Sequence, residues 1–261
     1  MKTINNYILS KIKNETNITE KLKINKVKKV ELTLFPKTKD ELKKMIADEI
    51  DKNGNKCSLN HIDVSNITDM SNLFCTSTFE KFNGDISQWD VSNVITMNSM
   101  FKFSKFNGDI SNWDVSSVTD MEEMFYGSKF NRDIFTWDVS NVENMTGMFE
   151  YGEFNQDISD WDVSSVKYMN KMFAYNKKFN QDINNWDVSN VENMTGMFYD
   201  SNFNKPLDKW DVSNVKYMHN MFAWSSFNNN ISNWKLNPNV EANNFSKGSS
   251  IPDNYKPKFY N

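Results

Sequence analysis

The stretch FNQDISDWDVSSVKYMNKMF, residues 154–173, sets Phe154, Trp161, Val163, Met169, Met172 and Phe173 among Asp, Ser and Asn. Residues 179–198, FNQDINNWDVSNVENMTGMF, repeat the arrangement. Trp-Asp-Val recurs at Trp89, Trp113, Trp137, Trp161, Trp186 and Trp210, in steps of 24 residues with one of 25. Degenerate copies stand before it (Ile62-Asp63-Val64) and after it (Trp234-Lys235-Leu236). A period of this length marks a repeat architecture. One copy cannot bury its own large side chains, but stacked copies align them in columns. Each such side chain taken out of water is worth roughly 1.5–3 kcal/mol.

Two periodicities divide each copy. In Ile-x-x-Trp-Asp-Val the Trp and Val alternate with Asp, as on a half-buried strand. In Val-x-x-Met-x-x-Met-Phe the apolar residues fall at i, i+3, i+6 and i+7, the stripe of a two-turn helix. Ser140 and Ser189 precede that stripe at N-cap positions, with Glu143 and Glu192 three residues on, as in a capping box. The pattern predicts an α/β solenoid. It would have about eight 24-residue, leucine-rich-repeat-like coils, each with one short parallel strand and one short helix, and an N-terminal helical cap. Thirteen of the 15 Met lie on the helix stripe. They are read as core filler rather than a metal site, because Met fills irregular gaps.

The Asn after Phe (Asn83, Asn107, Asn131, Asn155, Asn180, Asn204, Asn228) reads as a structural ladder of side-chain amides. The Asp of Trp-Asp-Val repeats once per coil, and adjacent unit charges about 4.8 Å apart repel by roughly 1 kcal/mol even in water. Hydrogen bonds from Ser hydroxyls or free N–H groups are one compensation and a row of cations the other. The glycine-rich calcium repeat is absent, and a second Asp column gives way at Pro206 and Asn230. No cofactor and no metal site is expected.

The chain has 261 residues and a formal charge of −4, unevenly spread. Residues 1–56 carry 14 Lys against 8 acidic residues, while the remainder is acidic. The repeat portion should avoid nucleic acid and anionic lipid. No window approaches the apolar length of a membrane span. The start lacks the continuous apolar region of a secretory signal. Cys57 and Cys75 form no framework and read as free thiols, with pairing as the alternative. The segments expected are a flexible or loosely helical tail at 1–27, a cap of strand plus amphipathic helix at 28–56, the repeats at 57–245, and a C-terminal cap or tail at 246–261. In the last copy Asn243 and Asn244 stand where the two Met belong.

The two quoted copies, with the lead-in FPKTKDELKKMI before IDVSNITDMSNLF, resemble the BspA-like leucine-rich-repeat surface proteins of bacteria. The resemblance covers about residues 57–245. It implies a solenoid at the cell surface or secreted, with roles in adhesion or partner binding and no catalytic residues. The missing export signal leaves a cytoplasmic location as the alternative.

Function is expected of a binding module rather than an enzyme. His61 and His219 occupy unlike repeat positions, without a nucleophile motif or a phosphate-binding loop. The variable segment after each Met-Phe carries an aromatic residue: Phe103, Tyr126, Tyr151, Tyr175, Tyr199 and Trp224. Such rings make good contacts, though they equally suit covering the edge between coils. Candidate partner-binding residues are Tyr126, Tyr151, Tyr175, Tyr199 and Trp224, together with the acidic column Asp114, Asp138, Asp162 and Asp187. The expected partner is a protein or glycan, host extracellular or cell-surface material among the candidates. Oligomeric state is left open, and a structural coat or spacer without a ligand is the competing reading.

Overall fold

The computed structural model describes residues 30–75 and 77–259. The tail expected at 1–27 lies outside them. All elements below belong to the unit Glu31–Asn261.

One α-helix, α1 (Lys39–Asn53), precedes the repeats. Thr38 caps it by accepting the Glu41 N–H at 3.2 Å, and the Gly54 N–H closes it on the Ile50 carbonyl at 2.7 Å. The four-residue spacing of Leu42, Ile46 and Ile50 buries one stripe against the first repeats. Before α1 the expected strand reduces to one parallel bridge, Leu34 to Ile62. After the repeats a single 3-10 turn, Asp253–Tyr255, offers the Tyr255 carbonyl to the Ile231 N–H at 3.0 Å. No helix among the described residues is long and apolar enough to cross a membrane.

The expected coils of strand plus helix are not what the repeats form. Among the described residues α1 is the only α-helix, and the repeats join through isolated parallel bridges rather than strands. Each copy is a succession of tight turns. The Trp N–H returns to the Ile carbonyl three residues back, as from Trp161 to Ile158 at 3.2 Å, which folds the expected strand into a turn. The Met-x-x-Met segment turns likewise, Met172 N–H to Met169 carbonyl at 3.2 Å. The third residue of that segment is left-handed: Ser99, Glu123, Gly147, Lys171, Gly196 and Asn220 have φ of 52–62°. A left-handed residue interrupts a right-handed helix. Alternate N–H groups leave the coil altogether. Those of Met145, Gly147, Phe149 and Tyr151 donate to the carbonyls of Tyr168, Asn170, Met172 and Ala174 at 2.9–3.0 Å. The i+3 spacing taken for a helix stripe is thus the spacing of turn corners, which also return side chains to one face.

The bridges run Asp69–Thr96–Asp120–Asn144–Tyr168–Asn193–Tyr217–Glu241, so like residues of successive copies lie side by side. Phe125, Phe149, Phe173 and Phe198 form a file with ring centroids 5.7–5.8 Å apart. Phe130, Phe154, Phe179 and Phe203 form a second file beside it. Trp224 apart, each Trp indole N–H donates to a carbonyl of the preceding copy, as from Trp161 to Ile134 at 3.1 Å. The Asn residues make the expected ladder: each amide oxygen accepts the backbone N–H of the next Asn at 2.8–3.0 Å. In the last copy the register places Ala242 and Phe245, not Asn243 and Asn244, opposite Met218 and Met221. Phe245 is buried there.

Two substitutions separate packing from turn geometry. Phe149→Ala should cost about 3–5 kcal/mol through the cavity it leaves in the file. Gly147→Ala should cost about 1–2 kcal/mol, because its φ of 59° is strained for any residue with a Cβ. Urea unfolding of both variants measures these losses.

Candidate functional site: a tyrosine groove

The second left-handed position of each copy follows the Met-Phe pair by two residues. It is filled by Phe103, Gly127, Tyr151, Tyr175, Asp200, Trp224 and Gly248. Tyr126 and Tyr199 stand one residue earlier in their copies, at the position that Glu150 and Ala174 occupy in theirs. The aromatic column of the sequence is therefore two columns. In space they interleave: Tyr126 meets Tyr151 edge to face at 5.6 Å, Tyr151 stacks on Tyr175 at 4.2 Å, and Tyr175 meets Tyr199 edge to face at 5.1 Å.

These four tyrosines line an open groove of about 440 Å³, with Glu150 and Lys171 also on its wall. The groove exists because small residues fall together. Ala174, Thr195 and Gly196 line it where larger side chains stand in other copies. Tyr151 is 48% exposed. Burial pushes the Tyr126 hydroxyl pKa up, and the nearby Glu150 and Glu123 carboxylates add to it. The neighbouring Tyr151 hydroxyl does the same for Tyr175.

Trp224 does not line this groove; its ring lies over Gly248 of the next copy, leaving no room for a Cβ there. Nor do the aspartates. Asp114, Asp138, Asp162 and Asp187 sit on another side of the coil, each closing a turn on the Ser two residues ahead. Every one accepts that serine's N–H at 3.1 Å and its hydroxyl at 2.6 Å. The Ser116 hydroxyl holds the Asp114 carboxyl below the usual range. Local donors thus offset the repulsion along the column. Among the described residues no three His, Cys, Asp or Glu side chains gather to hold a metal. The histidines are apart: His61 faces Glu49 at 3.5 Å, and His219 faces Glu241 at 3.3 Å. Cys57 and Cys75 are free.

Glu150 and Lys171 were not singled out in the sequence. Glu150 is 6% exposed, the one buried charged residue among those described. Burial pushes its carboxyl up, and Glu123 adds to this while Lys171 and Lys102 oppose it. A carboxyl raised in the folded state favours folding below its unfolded pKa of about 4.3 and loses that advantage as pH rises through the folded value. Glu150→Gln should therefore melt higher than the parent at pH 7 and alike at pH 3. Thermal unfolding at both pH values checks this; a lower melting temperature at pH 7 would mean the carboxylate is favourably held.

A family model described as "Mycoplasma protein of unknown function, DUF285" matches three overlapping spans, residues 40–153, 128–234 and 150–256. No curated protein and no solved structure matches the chain. The matched spans run from α1 through the last copy, and the chain belongs to this family of Mycoplasma proteins of unknown function.

Proposed function

We propose that the chain is a non-enzymatic binding module of the BspA-like kind, at the cell surface or secreted, and that its partner-facing site is the tyrosine groove. One observation carries this reading. Tyr151 and Tyr175 hold φ of 57° and 56° at a position where the same turn has glycine in other copies. A bulky residue there costs roughly 1–2 kcal/mol relative to an unstrained one. Strain of this kind gathers at functional sites, and here it aims large amphipathic rings at solvent. Tyrosine in such a place offers contact area with little rotamer entropy to lose. The acidic column is a second polar surface, whose carboxylates keep one oxygen outside their turns. The partner is a protein or a glycan. Catalysis is the weaker reading, because paired carboxylates recur in five successive copies, from Asp85 and Asp90 to Asp182 and Asp187, whereas an active site is normally unique.

Changing Tyr151, Tyr175 and Tyr199 together to Ser should leave a folded protein and abolish its binding to cultured animal cells and immobilised extracellular matrix. Full binding by the folded triple variant would remove the groove from the function and favour a spacer or coat. Thermal unfolding of the variant shows whether the rings are part of the core instead.

A further inference from the structure

The left-handed position two residues after the Met-Phe pair changes from copy to copy. Among the described residues two tyrosines follow each other there once, as Tyr151 and Tyr175. The register sets them side by side. The Tyr151 N–H donates to the Ala174 carbonyl at 2.9 Å and the Tyr175 N–H to the Tyr199 carbonyl at 2.7 Å, so one backbone repeats the other a copy later. Their φ values, 57° and 56°, are nearly the same. The rings stack with centroids 4.2 Å apart and planes 9° from parallel.

The pair is open to solvent and stands apart from the core. Tyr151 is exposed and Tyr175 half-buried, and other copies fold with glycine at this position. Tyr126 and Tyr199 meet the pair edge to face, at 5.6 and 5.1 Å. The exposed Tyr168 and Tyr217 are held apart by Asn193 of the copy between them. Side chains that would compete for an oxidising equivalent lie elsewhere. Met148, Met172 and Met197 are buried, and Cys57 and Cys75 belong to the start of the stack.

A phenol that gives up one electron and its proton becomes a radical with spin on the oxygen and on the carbons beside it. Two such rings held in contact couple far faster than rings that must meet by diffusion, because the step is intramolecular. We propose that Tyr151 and Tyr175 are a site of oxidative cross-linking, where a haem peroxidase with hydrogen peroxide joins them into a dityrosine that staples two successive copies. Each ring loses one electron and one proton. A Cε of one ring bonds to a Cε of the other, each of these carbons releases its proton, and each oxygen regains one. In sum two C–H bonds give way to one C–C bond, and the two electrons and two protons removed reduce one hydrogen peroxide to two waters. The bond forms as the exposed rings turn from stacked to edge-on. It links residues 24 apart in sequence, and closing such a loop restricts the unfolded chain. The proposal holds whatever the groove binds.

The test treats the full chain, in dilute solution, with a haem peroxidase and limiting hydrogen peroxide. Dityrosine fluorescence, a denaturing gel and mass spectrometry of the digest read the product. The chain should stay monomeric and lose the mass of two hydrogen atoms. The peptide pair joined at Tyr151 and Tyr175 should exceed every other tyrosine pair at least about tenfold, and that preference should vanish in concentrated urea. Tyr175→Phe should fold, since Phe103 stands at the equivalent place, and its dityrosine yield should fall at least about tenfold. Tyr217→Phe should keep the parent yield. The purified cross-linked chain should unfold at a higher urea concentration than the untreated one. Links mainly between chains, an even spread over tyrosine pairs, the same preference in urea, or a parental yield from Tyr175→Phe overturns the site. An unchanged urea midpoint of the linked chain overturns its role as a staple.

Discussion

Backbone N–H groups passed from each copy to the next are what the rest of the structure depends on. Four N–H groups, three in the Met-x-x-Met-Phe segment and one two residues beyond it, leave their own copy and end on carbonyls of its successor at 2.7–3.0 Å. Buried backbone groups must be paired somewhere. Had these residues wound into a helix, the bonds would have closed within the copy and the neighbouring carbonyls would have lost their donors. The same bonds fix the register, since a slip by one residue would move Trp and Phe out of their files. The indole bonds between copies and the Asn ladder act along the same direction. Polar and apolar contacts therefore specify one alignment.

Passing alternate N–H groups outward while turning every three residues imposes a second condition, a left-handed residue in each Met-x-x-Met turn. Glycine meets it at Gly147 and Gly196, and asparagine, which tolerates this region best among the others, at Asn220 and Asn244. Glu123 and Lys171 meet it at a cost. Their side chains project from the turn, and that projection places Glu123 against Lys102 and Lys171 on the groove. The alternation Glu143, Lys167, Glu192, Lys216 shows the same stacking in charges: Lys167 pairs with Glu143 and Lys216 with Glu192, both at 2.8 Å. These pairs are exposed and contribute little to stability, but they keep like charges from facing each other.

Burial was legible in the sequence where element type was not. Ile158, Trp161, Val163, Met169, Met172 and Phe173 are all buried, as their columns required, and Asp162 is exposed. Both a helix stripe and a run of turns place residues three apart on one side, so apolar spacing alone does not separate them. The deciding signal lay between the methionines. Thr-Gly in MTGMF, His-Asn in HNMF and Asn-Ser in NSMF are turn residues, poor choices for a helix interior. Each aspartate's Ser two residues on was likewise a sign of a local turn rather than of a helix cap. α1 was legible because it obeys ordinary helix rules, with Thr38 at its start and Gly54 at its end. The tyrosines were legible as a recurring feature, but their split into two columns was not, since it depends on which residue of the turn is left-handed.

The groove was illegible for a different reason. Its wall draws on copies that each look ordinary: Tyr126 from one, Glu150 and Tyr151 from the next, Lys171, Ala174 and Tyr175 from a third, and Gly196 and Tyr199 from a fourth. Consensus residues hold the copies in register and face inward, so they are the same everywhere and distinguish no place along the stack. A unique place arises only where departures from the consensus coincide across neighbouring copies. Here two small residues, Ala174 and Gly196, remove bulk at the point where a glutamate replaces the lysine or tyrosine of earlier copies. The regularity of the repeat makes such coincidences act together, because a fixed register turns residues about 24 apart in sequence into lateral neighbours. Within this architecture specificity is written by the irregular positions, and Glu150, the one buried charged residue among those described, is the sharpest irregularity the groove contains.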